Sequence, residues 1–177
     1  MSVARRLLFA WFIAALAAGY AQIADAKVPG RSVEPVRQIE LSEEKITHYL
    51  AARPAFDEIL AKAAAVPEPR YMRLLNETAR KNGFADYADY ESVAINVVWI
   101  LTGIDPLSKK YVGVQTVTKQ EAAILLSDKA LSPRDHRSRF DTLHAQMLTA
   151  APTKFAANIA LVTKYYDKLF TLDASKN

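Results

Sequence analysis

His136, Asp141 and His144 fall within one short stretch, and imidazole beside carboxylate is the pairing that general acid–base chemistry and metal ligation use. On a helix the two histidines are eight positions, or about two turns, apart. Two ligands of one ion sit better one turn apart, as in H-x-x-x-H. Asp141 precedes His144 by three positions, so those two can meet on one helical face. The catalytic alternative for this chain is therefore a metal- or small-molecule-dependent activity built on His136, Asp141 and His144; nothing in the sequence demands that His48 join them from another helix. The simpler reading pairs His144 with Asp141 at the surface and leaves His136 at the edge of the Phe140 stripe.

Nucleophilic chemistry finds no frame. There is no G-x-S-x-G, and Ser42-x-x-Lys45 matches S-x-x-K only at a helix cap, which explains Ser42. Glu43 and Glu44 occupy a first helical turn, where the helix dipole favours acids. The chain has no cysteine, which removes thiol catalysis, thiol redox chemistry, Cys-based metal sites and disulfides together. No catalytic residue, metal or cofactor is assigned.

Two surface groups are better placed for binding. Gly103 to Val117 reads as the longest loop, and its Lys109, Lys110 and Tyr111 offer two cations and an aromatic to a partner or an anionic ligand, unless the loop is an ordered connector with Leu107, Tyr111 and Val112 packed on the bundle and the lysines solvated. Lys164, Tyr165 and Lys168 offer a similar set on the last helix. Tyr165 and Tyr166 point about 100° apart there, so one of them is expected to be partly exposed. Tyr87, Tyr90, Trp99, Tyr111, Tyr165 and Tyr166 would line a groove between helices, or fill the core.

These residues sit in a chain that begins with an export signal. Arg5 and Arg6 form a positive n-region, Leu7 to Ala18 is an apolar run, and Ala24-Asp25-Ala26 is the small-x-small pattern of a cleavage site. A run of about twelve residues is shorter than the roughly 20 a bilayer requires. The expectation is a signal peptide over residues 1–26, cleaved before Lys27 and delivering the protein to the periplasm. An uncleaved N-terminus tethering it to the inner membrane is the alternative. The mature chain would keep 151 residues and a formal charge of +3 with interspersed signs. No basic block or aromatic–basic stripe of the kind that binds nucleic acid is present.

Residues 27–40, with Pro29, Gly30 and Pro35, read as an extended leader, and residues 41–173 as one helical domain before a tail at 174–177. Helices are expected from Ser42 to Pro54, from Pro54 to about Ala65, and from Pro69 to Asn82, with Pro54 breaking or kinking the chain between the first two. The third turns Met72, Leu75 and Ala79 inward and stops at a Gly83-Phe84 C-cap. Asp86 caps the next helix, the most apolar, which reaches Thr102. Thr118-Lys119-Gln120-Glu121 has the form of a capping box for a helix over 119–129, and Ser132-Pro133-Arg134-Asp135 opens one reaching Ala150 with Phe140, Leu143 and Met147 inward. The last runs from Thr153 to Leu172, carrying Phe155, Ile159, Val162, Tyr166, Leu169 and Phe170. The only strand signal is Val112 to Val117. The fold class is all-α, a bundle of six or seven helices.

Several of these segments, Leu41-Ser42-Glu43-Glu44, Asn82-Gly83-Phe84-Ala85-Asp86-Tyr87, Gly103-Ile104-Asp105-Pro106 with Lys109-Lys110-Tyr111-Val112-Gly113, and Asn158-Ile159 with Val162 and Lys164-Tyr165-Tyr166-Asp167-Lys168-Leu169, follow one another in an order with a known parallel. Over Leu41 to Leu169 the chain resembles a group of uncharacterised exported helical proteins of alphaproteobacteria, rhizobia and their relatives in particular. The resemblance implies an exported, helical, single-domain protein and carries no activity or catalytic residue. The overall expectation is a non-enzymatic periplasmic protein, an envelope or stress accessory, that binds a protein partner or an apolar or anionic small ligand.

Overall fold

The computed structural model describes residues 36–62, 68–149 and 152–174. The signal peptide, most of the leader, the ends of two expected helices at Ala65 and Ala150, the inward Met147 and the tail beyond Ala174 lie outside what is described. Among the described residues are seven helices: α1 Glu43–Ala61, α2 Glu68–Lys81, α3 Tyr87–Leu101, α4 Val114–Ser127, α5 Pro133–Thr149, α6 Ala156–Lys164 and α7 Tyr166–Ala174. Between α3 and α4 lies a two-stranded antiparallel hairpin, β1 Ile104–Asp105 and β2 Lys110–Tyr111, with Ile104 opposite Tyr111. The class is all-α, and the described chain forms two compact units, one of residues 37–98 and 154–174 and the other beginning at Trp99 and ending at Thr153.

In the first unit, Ser42 caps α1 as expected, its Oγ accepting the Lys45 N–H at 3.1 Å. Pro54 does not break the helix: α1 runs through it as one element of 19 residues. The buried residues Ile46, Tyr49, Ala52, Arg53 and Phe56 span both sides of Pro54, which itself is exposed. The burial of that stripe outweighs the helical hydrogen bond that Pro54 cannot make. Within the stripe, the Arg53 guanidinium donates to the Leu169 carbonyl at 3.5 Å and lies 3.8 Å from Asp57, joining α1 to α7.

The end of α2 follows its local signals. The Phe84 N–H bonds the Ala79 carbonyl at 3.1 Å and the Gly83 N–H bonds that of Arg80 at 3.2 Å, with Gly83 at φ +86°. Phe84 and Tyr90 meet edge-on at 5.4 Å, and Tyr90 stacks on Phe56 at 3.7 Å and on Tyr49 at 5.7 Å. Tyr87 and Tyr90 are thus core residues, not the lining of a groove. Met72, expected inward, is 38% exposed, because Tyr71, Leu75 and Ala79 already form the packed face of α2. The N-terminus of α3 is capped twice: Asp86 accepts the Asp89 N–H at 2.9 Å, and Asn76 of α2 accepts the Tyr87 N–H at 3.1 Å.

The single last helix expected from Thr153 is two. Lys154 and Phe155 lie outside α6, and Tyr165 interrupts the helix at φ −97°, ψ 6°, its N–H shared between the Leu161 and Val162 carbonyls. Phe170, expected inward, is 37% exposed and stacks on the buried Tyr166 at 5.9 Å.

In the second unit the Gly103 carbonyl accepts N–H groups from Val112 at 2.8 Å and Gly113 at 3.1 Å, closing the hairpin. The strand is Lys110–Tyr111, not Val112 to Val117, because Gly113 at φ +89° turns the chain into α4. Thr118 is therefore not a cap. It is buried in the second turn of α4 and its hydroxyl donates to the Val114 carbonyl at 2.8 Å. Val114, Val117, Thr118 and Leu125 form one buried stripe, and burying the two valines outweighs the roughly 1 kcal/mol of a side-chain cap. α4 packs on α5, whose start is as expected: Ser132 Oγ accepts the Asp135 N–H at 3.2 Å and donates to its carboxylate at 2.7 Å. Leu143 faces inward, whereas Phe140, also expected inward, is 45% exposed.

Candidate functional site

Among the described residues of the first unit, a dense polar arrangement lies where the N-terminal segment meets α3 and α6. Residues 37–41 have no regular secondary structure and enter α1 at Ser42, whose backbone is extended. Asn96 lies in the middle of apolar α3 and is 2% exposed; Asn158 lies in the first turn of α6 and is 1% exposed. The Asn96 carboxamide accepts the Ile39 N–H at 3.0 Å and donates to the Arg37 carbonyl at 3.0 Å. The Asn158 carboxamide accepts the Leu41 N–H at 2.9 Å and donates to the Ile39 carbonyl at 2.7 Å. The Gln38 side chain adds a bond from the Lys154 N–H at 2.6 Å, which draws the chain away from helix before α6 begins. A buried carboxamide left unpaired is costly, and both pair through main-chain groups.

Just beyond this segment, Glu43 gathers two of the expected surface residues. Its Oε1 accepts from Lys164 Nζ at 2.6 Å and from the Tyr165 hydroxyl at 2.6 Å. Lys164 Nζ and Lys168 Nζ lie 5.4 and 5.5 Å from the centre of the Tyr165 ring. The Lys164 hydrogen bond, followed by that of Tyr165, holds the Glu43 carboxyl below the usual carboxylate range. The same bonds raise the Lys164 ammonium and the Tyr165 phenol. All three groups are thereby fixed in their ordinary protonation states, which suits recognition more than proton transfer. Tyr165 is half-exposed while Tyr166 is buried, the division expected of that pair.

In the second unit, Lys109 and Lys110 are exposed at the hairpin and Tyr111 is half-buried. Its ring lies against Gly103 and its hydroxyl shares a 2.8 Å hydrogen bond with Thr153 Oγ1. The residue exposed at the tip is instead Leu107, at 57%. Asp105 organises that tip: its Oδ1 accepts the N–H groups of Leu107 at 2.9 Å and Ser108 at 2.7 Å, and Lys109 takes a left-handed φ of +55°.

The alternative His/Asp group does not assemble. His136 Nε2 bonds the Asp128 carbonyl oxygen at 2.8 Å, an end-of-helix contact, while Asp141 and His144 are exposed. Among the described residues no group of three or more His, Asp or Glu could hold a metal ion. Among the described residues the carboxyl displaced furthest is Glu121, half-buried on α4 between Thr118 and Leu125, where burial pushes it up to about 7. Tyr87 and Glu91 share a hydrogen bond and are raised chiefly by burial, and the nearby Tyr71 hydroxyl is buried without a partner.

Sequence reasoning missed Asn96, Asn158 and Glu43 as partners of the N-terminal segment and the last helices. The signal for Asn96 was present, a lone carboxamide inside Val93-Ala94-Ile95-Asn96-Val97-Val98, where only a satisfied hydrogen bond makes burial tolerable. Asn158 and Glu43 carry no such mark, since Asn near a helix start and Glu in a first turn are ordinary. No protein-family model matches the chain, and comparison with curated proteins and with solved structures found no match to either.

Proposed function

We propose that the protein is exported to the periplasm and acts there by binding a protein partner through the surface of Lys164, Tyr165 and Lys168. The residues 1–26 support export, and no described helix is long and apolar enough to cross a membrane. One observation carries the binding reading. Tyr165 is a half-exposed aromatic flanked by two ammonium groups, with its hydroxyl fixed on Glu43. Aromatic anchors held in place before contact lose little freedom on binding, and such residues dominate interface energetics.

A photo-crosslinking residue placed at Lys168, in cells that express the protein naturally, tests this. The expected result is a discrete crosslinked partner that disappears when Tyr165→Ala is added. A crosslinking pattern identical to that from a probe at Lys62, exposed at the end of α1, would remove the reading. Mass spectrometry of the purified protein decides export: a chain starting near Lys27 is expected, and an intact N-terminus would favour a tethered form.

A further inference from the structure

The two buried carboxamides read one extended segment at successive registers. Asn96 engages the Arg37 carbonyl and the Ile39 N–H; Asn158 engages the Ile39 carbonyl and the Leu41 N–H. Alternate residues of the segment thus meet a donor, an acceptor or both, as they would beside a neighbouring β-strand. Here side-chain amides projecting from two helices take the place of that strand. Recognition of this kind addresses the main chain, so it is indifferent to most side chains of the bound segment.

The segment's own side chains fit that logic. Arg37 and Glu40 are exposed, Gln38 and Ile39 are half-buried, and Leu41 is the one that is buried. The main-chain groups of Arg37, Ile39 and Leu41 are met by side chains of the surface they lie on. The segment is held as a ligand is held. It also lies upstream of α1, so no described helix includes it.

We propose that Asn96 of α3 and Asn158 of α6 form a peptide-reading cleft, which residues 37–41 occupy in cis and which accepts in trans an extended polypeptide segment with an apolar residue at the Leu41 position. This goes beyond the Lys164–Tyr165–Lys168 surface and does not depend on it. The in-cis segment acts as a competitor, so a partner's segment gains the cleft only when the chain's own leader is out.

A labelled peptide with the sequence of residues 36–42, titrated into the full mature chain and followed by fluorescence anisotropy, tests the cleft. Ile39→Pro in the chain removes the N–H that Asn96 accepts and loosens the leader. Saturable binding at least about tenfold tighter to the Ile39→Pro chain than to the unaltered one is expected, with loss of that binding when Asn158→Leu is added. A folded Ile39→Pro chain that binds no peptide, or binds it regardless of Asn158, overturns the proposal. Hydrogen exchange on the unaltered chain covers the case in which the variant does not fold. The Leu41 amide should exchange at least about a hundredfold faster than the Val97 amide of α3. Equal protection would mean that the segment leaves only when the unit unfolds, which also overturns the proposal. Neither readout involves Tyr165, so failure here and failure of the Lys168 crosslink are separate results.

Discussion

Gly83 is closed over by His48: a Cβ at Gly83 would lie 2.5 Å from both Cε1 and Nδ1 of the imidazole. The glycine also holds φ at +86°, so two independent constraints meet at one residue. Gly83→Ala should cost about 2–4 kcal/mol, from the left-handed backbone and the steric overlap together. Urea unfolding measures it. Adding His48→Ala should recover the overlap part and leave the backbone part, and recovery of the whole cost would show that φ is not constrained.

Asn158→Ala should cost about 2–4 kcal/mol, because it leaves the Leu41 N–H and the Ile39 carbonyl without partners in a buried setting. Asn158→Asp keeps the acceptor for Leu41 and loses the donor to Ile39, so it should not restore stability. Chemical denaturation of the two variants, compared at one pH, checks the order; an Asn158→Asp variant as stable as the parent would contradict it.

Glu121 gives stability a pH dependence of defined sign. Its folded pKa of about 7 lies above the ordinary carboxyl value, so between about 4.5 and 7 the folded state binds more protons than the unfolded one. Stability therefore falls as pH rises through that window, by up to about 3 kcal/mol, and the full penalty is present above pH 7. Glu121→Gln should be the more stable protein at pH 8 and lose this contribution to the slope. The measurement is urea unfolding of both proteins from pH 4.5 to 8, and parallel curves would be inconsistent with a raised Glu121.

Glu43→Gln should lower the Tyr165 phenol toward its ordinary value, since the hydrogen bond to the Glu43 carboxylate is the first cause of its rise. Ultraviolet titration of the tyrosines, with Tyr165→Phe to assign the change, reads this directly. The Glu43 carboxyl is depressed, so any stability it adds is present above its unfolded pKa and lost as pH falls through the folded one. The group is solvent-exposed, and the stability change should be small and vanish in high salt.

Much of the helix content was legible because its signals act within a turn. The Ser42 and Ser132 caps, Asp86 before α3, and the Gly83–Phe84 ending all stand where their local chemistry places them. The surface pair was legible in part: adjacency in one helix separates Tyr165 from Tyr166, but Glu43, which organises Lys164 and Tyr165, comes from the far end of the described chain. Whether Tyr111 packs or is presented was open in the sequence, because it depends on a close approach to Gly103 and a bond to Thr153, neither of which has a local mark.

Short-range chemistry was therefore enough for the all-helical class, most helix starts and the chain's lack of thiol reactivity, because caps, glycine stops and 3.6-residue periodicity need no distant partner. Long-range packing set the rest: α1 runs through Pro54, α4 starts at Val114 and not at the Thr118 box, and the last helix breaks at Tyr165. Packing also brought Asn96 and Asn158, 57 and 117 positions away from the backbone N–H groups they accept, onto residues 37–41. In each case burial, or a hydrogen bond satisfied across the fold, outweighed a local preference, of about one kcal/mol for a cap and about three for Pro54.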